Sequence, residues 1–181
     1  MSIKETDIPK QIIAHFDIRL FEVHAAQGRH YLILDLDNTI ADGKSYECDE
    51  NAIEVLRIAK DRGLLKGTCL LSNVQVPWPP LIKRVSFIAK KIRTPHYHAA
   101  CFPYAKPHPR AVQTALSMMG ASAEQTVMIG DQLNKDIRAA NAAGIYSILR
   151  FPSYGSDPWY RTGKRKKQNA AIEQWLSQQR R

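Results

Sequence analysis

Short apolar runs that stop abruptly at polar residues punctuate this chain. Tyr31-Leu32-Ile33-Leu34 stops at Asp35-Leu36-Asp37-Asn38-Thr39, and Cys69-Leu70-Leu71 stops at Ser72-Asn73. Val127-Met128-Ile129 stops at Gly130-Asp131, which leads through Gln132-Leu133-Asn134-Lys135 to Asp136. Runs this short read as buried strands. Between them, apolar residues recur at helical spacing. Ala52, Val55, Leu56 and Ala59 lie between Asp49, a candidate N-cap, and Gly63, a candidate stop. Leu81, Val85, Ile88, Ala89 and Ile92 form a second stripe, and Ala111, Val112, Ala115, Leu116 and Met119 a third, stopped by Gly120. A fourth helix is predicted from Asn134 to Ala143, and a last core strand over Ile145–Leu149. Strands alternating with helices predict an α/β fold, a parallel sheet with helices on both faces.

In such sheets chemistry gathers beyond the carboxyl ends of the strands. Asp35 and Asp37, two apart on extended backbone, share one side of the chain. Their repulsion calls for a cation or a proton between them. Taken alone, Asp-x-Asp-Asn is also an ordinary polar turn. The order of the elements decides: Asp35-x-Asp37, then Ser72, then Lys106-Pro107 before a helix, then Gly130-Asp131 with Asp136 five residues on. From about Tyr31 to Pro152 the chain resembles the haloacid dehalogenase-like (HAD) superfamily of phosphotransferases, which implies a Rossmann-like HAD fold. Each interval between motifs holds only one helix and one strand, so no cap domain is expected and the site should be open.

The resemblance implies roles. Asp35 is the nucleophile that forms an aspartyl-phosphate, and Asp37 the general acid and base. Mg²⁺ is held by Asp35, the Asp37 main-chain carbonyl and Asp131, hard oxygen ligands of the kind that ion prefers. Ser72 and Lys106 hold the transferring phosphoryl group, while Asn73 and Asp136 support them. Gly130 to Asp136, followed by Ala140-Asn141 and Gly144-Ile-Tyr-Ser-Ile148, is similar to the YqeG-like phosphatases, a group that includes phosphatidylglycerophosphate phosphatases. The chain departs from that group at Ala139-Ala140-Asn141-Ala142, where an arginine is lost, and at Lys135, where threonine is common. The catalytic set is untouched by these departures; the lipid substrate is what they put in question.

Composition bounds the rest. The 181 residues suit one domain, with residues 1–30 as an N-terminal extension, 31–152 as the phosphatase core and 153–181 as a basic segment packed on it. Nothing resembles a membrane span or signal peptide, so a cytoplasmic or membrane-peripheral enzyme is expected. Three widely spaced cysteines argue against a disulfide framework, and Cys69 reads as a small core residue. His96, His98, Cys101 and His108 read as a surface loop bordering the site, since a structural zinc site presents four well-spaced ligands. The face carrying Lys83, Arg84, Lys90 and Lys91 reads as solvated surface.

A formal net charge of +9 points to an acidic partner. Trp159-Tyr160-Arg161, Lys164-Arg165-Lys166-Lys167 and a terminal helix from about Gln168 carrying Ile172, Trp175 and Leu176 suit an anionic membrane surface or nucleic acid. The leading expectation is a Mg²⁺-dependent phosphomonoesterase, with phosphatidylglycerophosphate as one substrate. Soluble metabolites or nucleic-acid ends are the alternative substrates, and a non-catalytic RNA-binding protein on the HAD fold is the alternative class. The sequence leaves the oligomeric state open.

Overall fold

The computed structural model describes residues 3–43, 45–155 and 162–179. Six strands form one parallel sheet: β1 (Gln11–Ile13), β2 (Tyr31–Asp35), β3 (Gly67–Asn73), β4 (His96–Ala100), β5 (Thr126–Gly130) and β6 (Tyr146–Arg150). Their order across the sheet is β1-β6-β5-β2-β3-β4. The helices are α1 (Ile18–Ala26), α2 (Glu50–Asp61), α3 (Pro79–Lys91), α4 (Pro109–Met119), α5 (Arg138–Ala142) and α6 (Thr162–Gln179).

Strands buried on both faces need apolar side chains at every position, which is why the central runs show no alternation. Leu32, Leu34 and Leu70 pack on one face with Leu56 of α2 and with Val85 and Ile88 of α3. Ile33, Cys69, Leu71 and Met128 face the other side, against Ala111, Val112 and Ala115 of α4 and Ala139 and Ala140 of α5. The expected caps form. Asp49 accepts from the backbone N–H of Asn51 and Ala52 at 3.0 and 3.3 Å to start α2, and Gly120 closes α4 in the left-handed conformation at φ 61°. Only glycine adopts that conformation without a Cβ penalty.

Four regions differ from expectation. His96 and His98, read as part of a surface loop, lie in the edge strand β4. Residues before Tyr31 join the sheet: β1 pairs with β6, Gln11 opposite Ile148. Phe16 and Phe21 are buried in the core, and the stretch left open between strand and helix turn is α1, capped by Asp17. The expected helix from Asn134 instead begins as a wide π-type turn, Leu133–Ile137, before α5. The reason is local: Asp136 folds back, and its Oδ2 accepts from the backbone N–H of Gln132 at 3.0 Å. Finally, α6 is already helical at Thr162, so Lys164 to Lys167 lie within it. Trp159, Tyr160 and Arg161 fall outside the described residues.

Ile172 of α6 is fully buried against Leu133, Ile137 and Leu149, with Leu176 beside it. The apolar side of that helix is therefore occupied by protein. Among the described residues no domain is inserted after β2 or after β3. The first interval holds a loop bridged at Asp37–Ala41 and Ala41–Cys48, then α2. The second holds α3 and β4. No helix among the described residues is long and apolar enough to cross a membrane.

Candidate active site

Parallel register brings the strand-end residues to one edge. Asp35 ends β2 beside Leu71 of β3, so Ser72 and Asn73 lie just beyond it. Lys106, from the loop before α4, reaches into this edge and is almost wholly buried. Its Nζ pairs with Asp35 Oδ1 and with Asp136 Oδ1, the latter at 2.7 Å. It also donates to the Leu71 carbonyl at 3.0 Å. Asn73 fixes the lysine's own peptide from both sides, donating to the Lys106 carbonyl at 2.7 Å and accepting from its N–H at 2.8 Å. Thr39 donates to Asp35 Oδ2 at 3.2 Å. Ser72 is buried at the same edge.

Asp131 follows β5, and Asp136 returns through the π-type turn. The return requires glycine at 130, because a methyl group there would overlap the Asp136 side chain. Carboxylate oxygens of Asp35, Asp131 and Asp136 lie within 4.8 Å of one another. Crowding buried carboxylates disfavours their charged forms. Burial, then the Asp136 charge, raises Asp35 well above the usual carboxylate range, against the pull of Lys106. Burial likewise pushes Asp131 up to about 7, although Arg165 draws it back. For Lys106 burial works to lower the pKa, but Asp136 and Asp35 outweigh it and hold the ammonium protonated.

Asp131 Oδ1 is buried without a hydrogen-bond partner among the described residues. A buried carboxylate oxygen with no donor is costly, and its neighbours are oxygens. A small divalent cation suits this donor set. Asp35, Asp131 and Asp136 form the one such group of potential ligands among the described residues. His96, His98, Cys101 and His108 do not assemble into another. His108 instead caps α4, its Nδ1 accepting from the Arg110 N–H at 3.1 Å.

Asp37 stands at the rim, its side chain 29% exposed. Arg84 donates to Asp37 Oδ1 at 2.7 Å. The expectation that Arg84 belongs to a solvated face is therefore corrected: its side chain turns inward, drawn by that carboxylate and by two loop carbonyls. On the opposite side, Arg165 of α6 pairs with Asp131 Oδ2 and donates to the Asp131 carbonyl at 3.0 Å. Gln168 donates to that same carbonyl at 2.8 Å and accepts from the Leu133 N–H at 3.1 Å.

A third arginine, Arg150 at the end of β6, is buried and holds Asp49 and the Thr39 carbonyl. Sequence reading missed all three. Arg84 and Arg165 sit in basic runs that look alike whether solvated or not. Arg150 left a signal, since it closes an apolar run at the edge where Asp35 closes another. A cleft of about 970 Å³ lined by Glu5, Ile8, Lys10, Arg29, Asn141 and Tyr146 lies at the strands' amino ends, away from these groups.

Residues 15–144 match the family described as haloacid dehalogenase-like hydrolase. The chain is 30% identical over 126 residues to the probable phosphatase YqeG of Bacillus subtilis, covering 70% of this chain and 66% of that protein. It is 41% identical over 105 residues to a dihydroxyacetone phosphatase of Corynebacterium glutamicum, covering 58% of this chain and 36% of that protein. The match thus spans just under two thirds of the first relative and about a third of the second. Among solved structures, a HAD-superfamily hydrolase from Ehrlichia chaffeensis superposes with a TM-score of 0.53 at 18% identity, over 80% of this chain and 98% of that one, a likeness of fold. With the family match running from residue 15 to residue 144, the chain belongs to the haloacid dehalogenase-like hydrolases.

Proposed function

We propose that this hydrolase is a Mg²⁺-dependent phosphatase that cleaves phosphomonoesters through an aspartyl-phosphate on Asp35. The supporting observation is the buried set of Asp35, Lys106, Asp131 and Asp136 beside a more exposed Asp37. Phosphoryl transfer asks for an in-line nucleophile, neutralised phosphoryl charge and a proton for the leaving oxygen. Asp35, oriented by Lys106 and Thr39, supplies the nucleophilic oxygen. Lys106, with Ser72 and its neighbouring N–H groups, holds the phosphoryl oxygens. Asp37 donates a proton to the departing oxygen, and its carboxylate then takes one from the water that hydrolyses the acyl phosphate. Asp35, Asp131 and the Asp37 carbonyl, with Asp136 in support, would hold Mg²⁺, which would supply electrostatic neutralisation of the phosphoryl group.

The substrate class we favour is a primary alkyl phosphate on a small polyol. One relative suggests it by name, and the resemblance to the YqeG-like group points the same way. That relative is named a dihydroxyacetone phosphatase, and YqeG-like proteins include phosphatases of the phosphatidylglycerophosphate headgroup. Whether the polyol phosphate is free or carried on lipid depends on the site's surroundings. The loops following β3 and β4 leave the same edge as the site and expose Val76, Trp78, Phe102 and Tyr104, a rim suited to a bilayer interface. Lys164, Lys166 and Lys167 of α6 are exposed as well. Phosphorylated nucleic-acid ends are the second substrate reading, supported by the net charge of +9. A non-catalytic RNA-binding role has less support, because it gives no reason for so many carboxylates buried around Lys106.

The test is hydrolysis of p-nitrophenyl phosphate, glycerol phosphate, phosphatidylglycerophosphate in vesicles and phosphorylated oligonucleotides, with and without Mg²⁺. Turnover should require Mg²⁺ and fall by at least about a thousandfold in Asp35→Asn. Full activity in that variant or in excess chelator refutes the mechanism. Binding to anionic vesicles should be salt-sensitive and weaken when Lys164, Lys166 and Lys167 become Gln. Arg165 is left unchanged in that variant because it contacts Asp131.

A further inference from the structure

Arg84 meets Asp37 in a way that ordinary surface pairing does not explain. It projects from α3, a helix anchored by its buried neighbours Val85 and Ile88, and its own side chain is only 13% exposed. Three of its donors are used separately. Nη1 donates to Asp37 Oδ1 at 2.7 Å, Nε to the Ser45 carbonyl at 3.0 Å and Nη2 to the Asp42 carbonyl at 3.2 Å. The planar guanidinium thereby ties one carboxylate oxygen to the loop that passes over it, and the loop is bridged back to Asp37 through Ala41. Asp37 Oδ2 makes no hydrogen bond among the described residues. The residue that follows, Asn38, turns the chain with φ at 60°, so the backbone fixes the Cα while Arg84 fixes the carboxylate plane.

We propose that Arg84 is a positioning residue for proton transfer: by anchoring Oδ1 it leaves Oδ2 as the oxygen that exchanges the proton with the leaving group. The proposal rests on the phosphatase reading above and adds to it a residue outside the strand-end motifs. In the first step Asp35 bonds to phosphorus, and the bond from phosphorus to the ester oxygen breaks with its electron pair on that oxygen. The proton on Asp37 Oδ2 goes to that oxygen, releasing an alcohol. In the second step the water oxygen bonds to phosphorus, the bond from phosphorus to the Asp35 oxygen breaks with its electron pair on the carboxylate, and the water's proton goes to Oδ2, releasing inorganic phosphate. An alkoxide is a poor leaving group and depends on that proton; p-nitrophenolate departs without it. The acid therefore matters for one class of ester far more than for the other, and so does its orientation.

The experiment compares kcat/KM, which reports steps through departure of the leaving group, for glycerol phosphate and p-nitrophenyl phosphate. In Arg84→Gln the value for glycerol phosphate should drop about ten- to a hundredfold, while that for p-nitrophenyl phosphate changes by less than about threefold. Combining Arg84→Gln with Asp37→Asn should cost no more than about twofold beyond Asp37→Asn alone, since both act through one proton transfer. An equal fall for the two esters overturns the proposal, because it marks an arginine that holds phosphate or merely supports the loop. Further large loss in the double variant overturns it too. If Asp37→Asn itself fails to distinguish the esters, the general-acid reading falls, a result separate from failure of Arg84→Gln alone.

Discussion

The two sides of this site are built on opposite principles. Toward β5, Asp35, Asp131, Asp136 and Lys106 are buried to 6% exposure or less and bonded mainly to one another. Toward α3, Asp37 and Arg84 sit at the rim in contact with a loop. In the interior three carboxylates share the strand-end edge with one ammonium, which pairs with Asp35 and Asp136, while an arginine from α6 pairs with Asp131. Without a metal ion that arrangement opposes folding, since desolvated like charges repel. At the rim one guanidinium meets one carboxyl group in better-solvated surroundings. The interior is thus organised to receive a cation, the rim to hold a single carboxylate in place. Stability and ligand binding should be coupled in the first region and nearly independent in the second.

The strongest way to break that contrast is Lys106→Met. It leaves Asp35 and Asp136 buried without the ammonium and should destabilise the protein by about 3–5 kcal/mol. Arg84→Gln, by comparison, should lose less, about 1–2 kcal/mol, because the pair it breaks lies at the rim and leaves Asp37 open to water. Urea unfolding of the two variants measures both, and equal losses would erase the distinction.

A smaller effect should appear in pH dependence. Asp131 is raised to about 7 in the folded chain, above the unfolded value of about 3.9. A raised acid binds more protons folded than unfolded, so its contribution is fully present below the unfolded pKa and is lost as pH rises through the folded one. The metal-free protein therefore loses on the order of a few kcal/mol from this cluster between about pH 4 and 7. Mg²⁺ takes the deprotonated form, so thermal melting should show a greater upward shift in Tm on adding Mg²⁺ at pH 8 than at pH 5. Equal shifts at the two pH values would mean that the ion binds elsewhere.

Smaller again is Arg165→Gln, which removes the second cation from Asp131. The Tm of the metal-free protein should fall by several degrees, about 1–2 kcal/mol, and saturating Mg²⁺ should restore most of it. A loss that Mg²⁺ leaves unchanged would assign Arg165 to the packing of α6 alone.

The interior was legible in the sequence because each of its residues follows a distinct apolar run or a Lys-Pro step, and their order is informative. The helices α2 to α4 were legible for a related reason: core positions recur at helical spacing, bounded at α2 by Asp49 and Gly63 and at α4 by Gly120. The strand β1 was not, since three half-buried residues carry no periodicity. Nor was the π-type turn, which exists because Asp136 reaches back to the Gln132 N–H, a local side-chain bond that overrides helical propensity. In α6 the apolar residues cluster in the second half, at Ala171, Ile172, Trp175 and Leu176, so its start was placed six residues late. Arg84 and Arg165 stayed hidden because charge runs look the same whether they face water or a buried carboxylate.

The neighbouring placement of β1 and β6 has a consequence for folding order. Gln11 waits for Ile148, a pairing that closes a loop of almost the whole described chain before it gains any contact. Loop-closure entropy delays such contacts. The β2–β3–β4 ladder, built from nearer segments, is free to form first and can present its half of the active edge while β1 is still unpaired. The nascent sheet is therefore expected to grow outward from β2–β3–β4, with β1 among the last strands to pair.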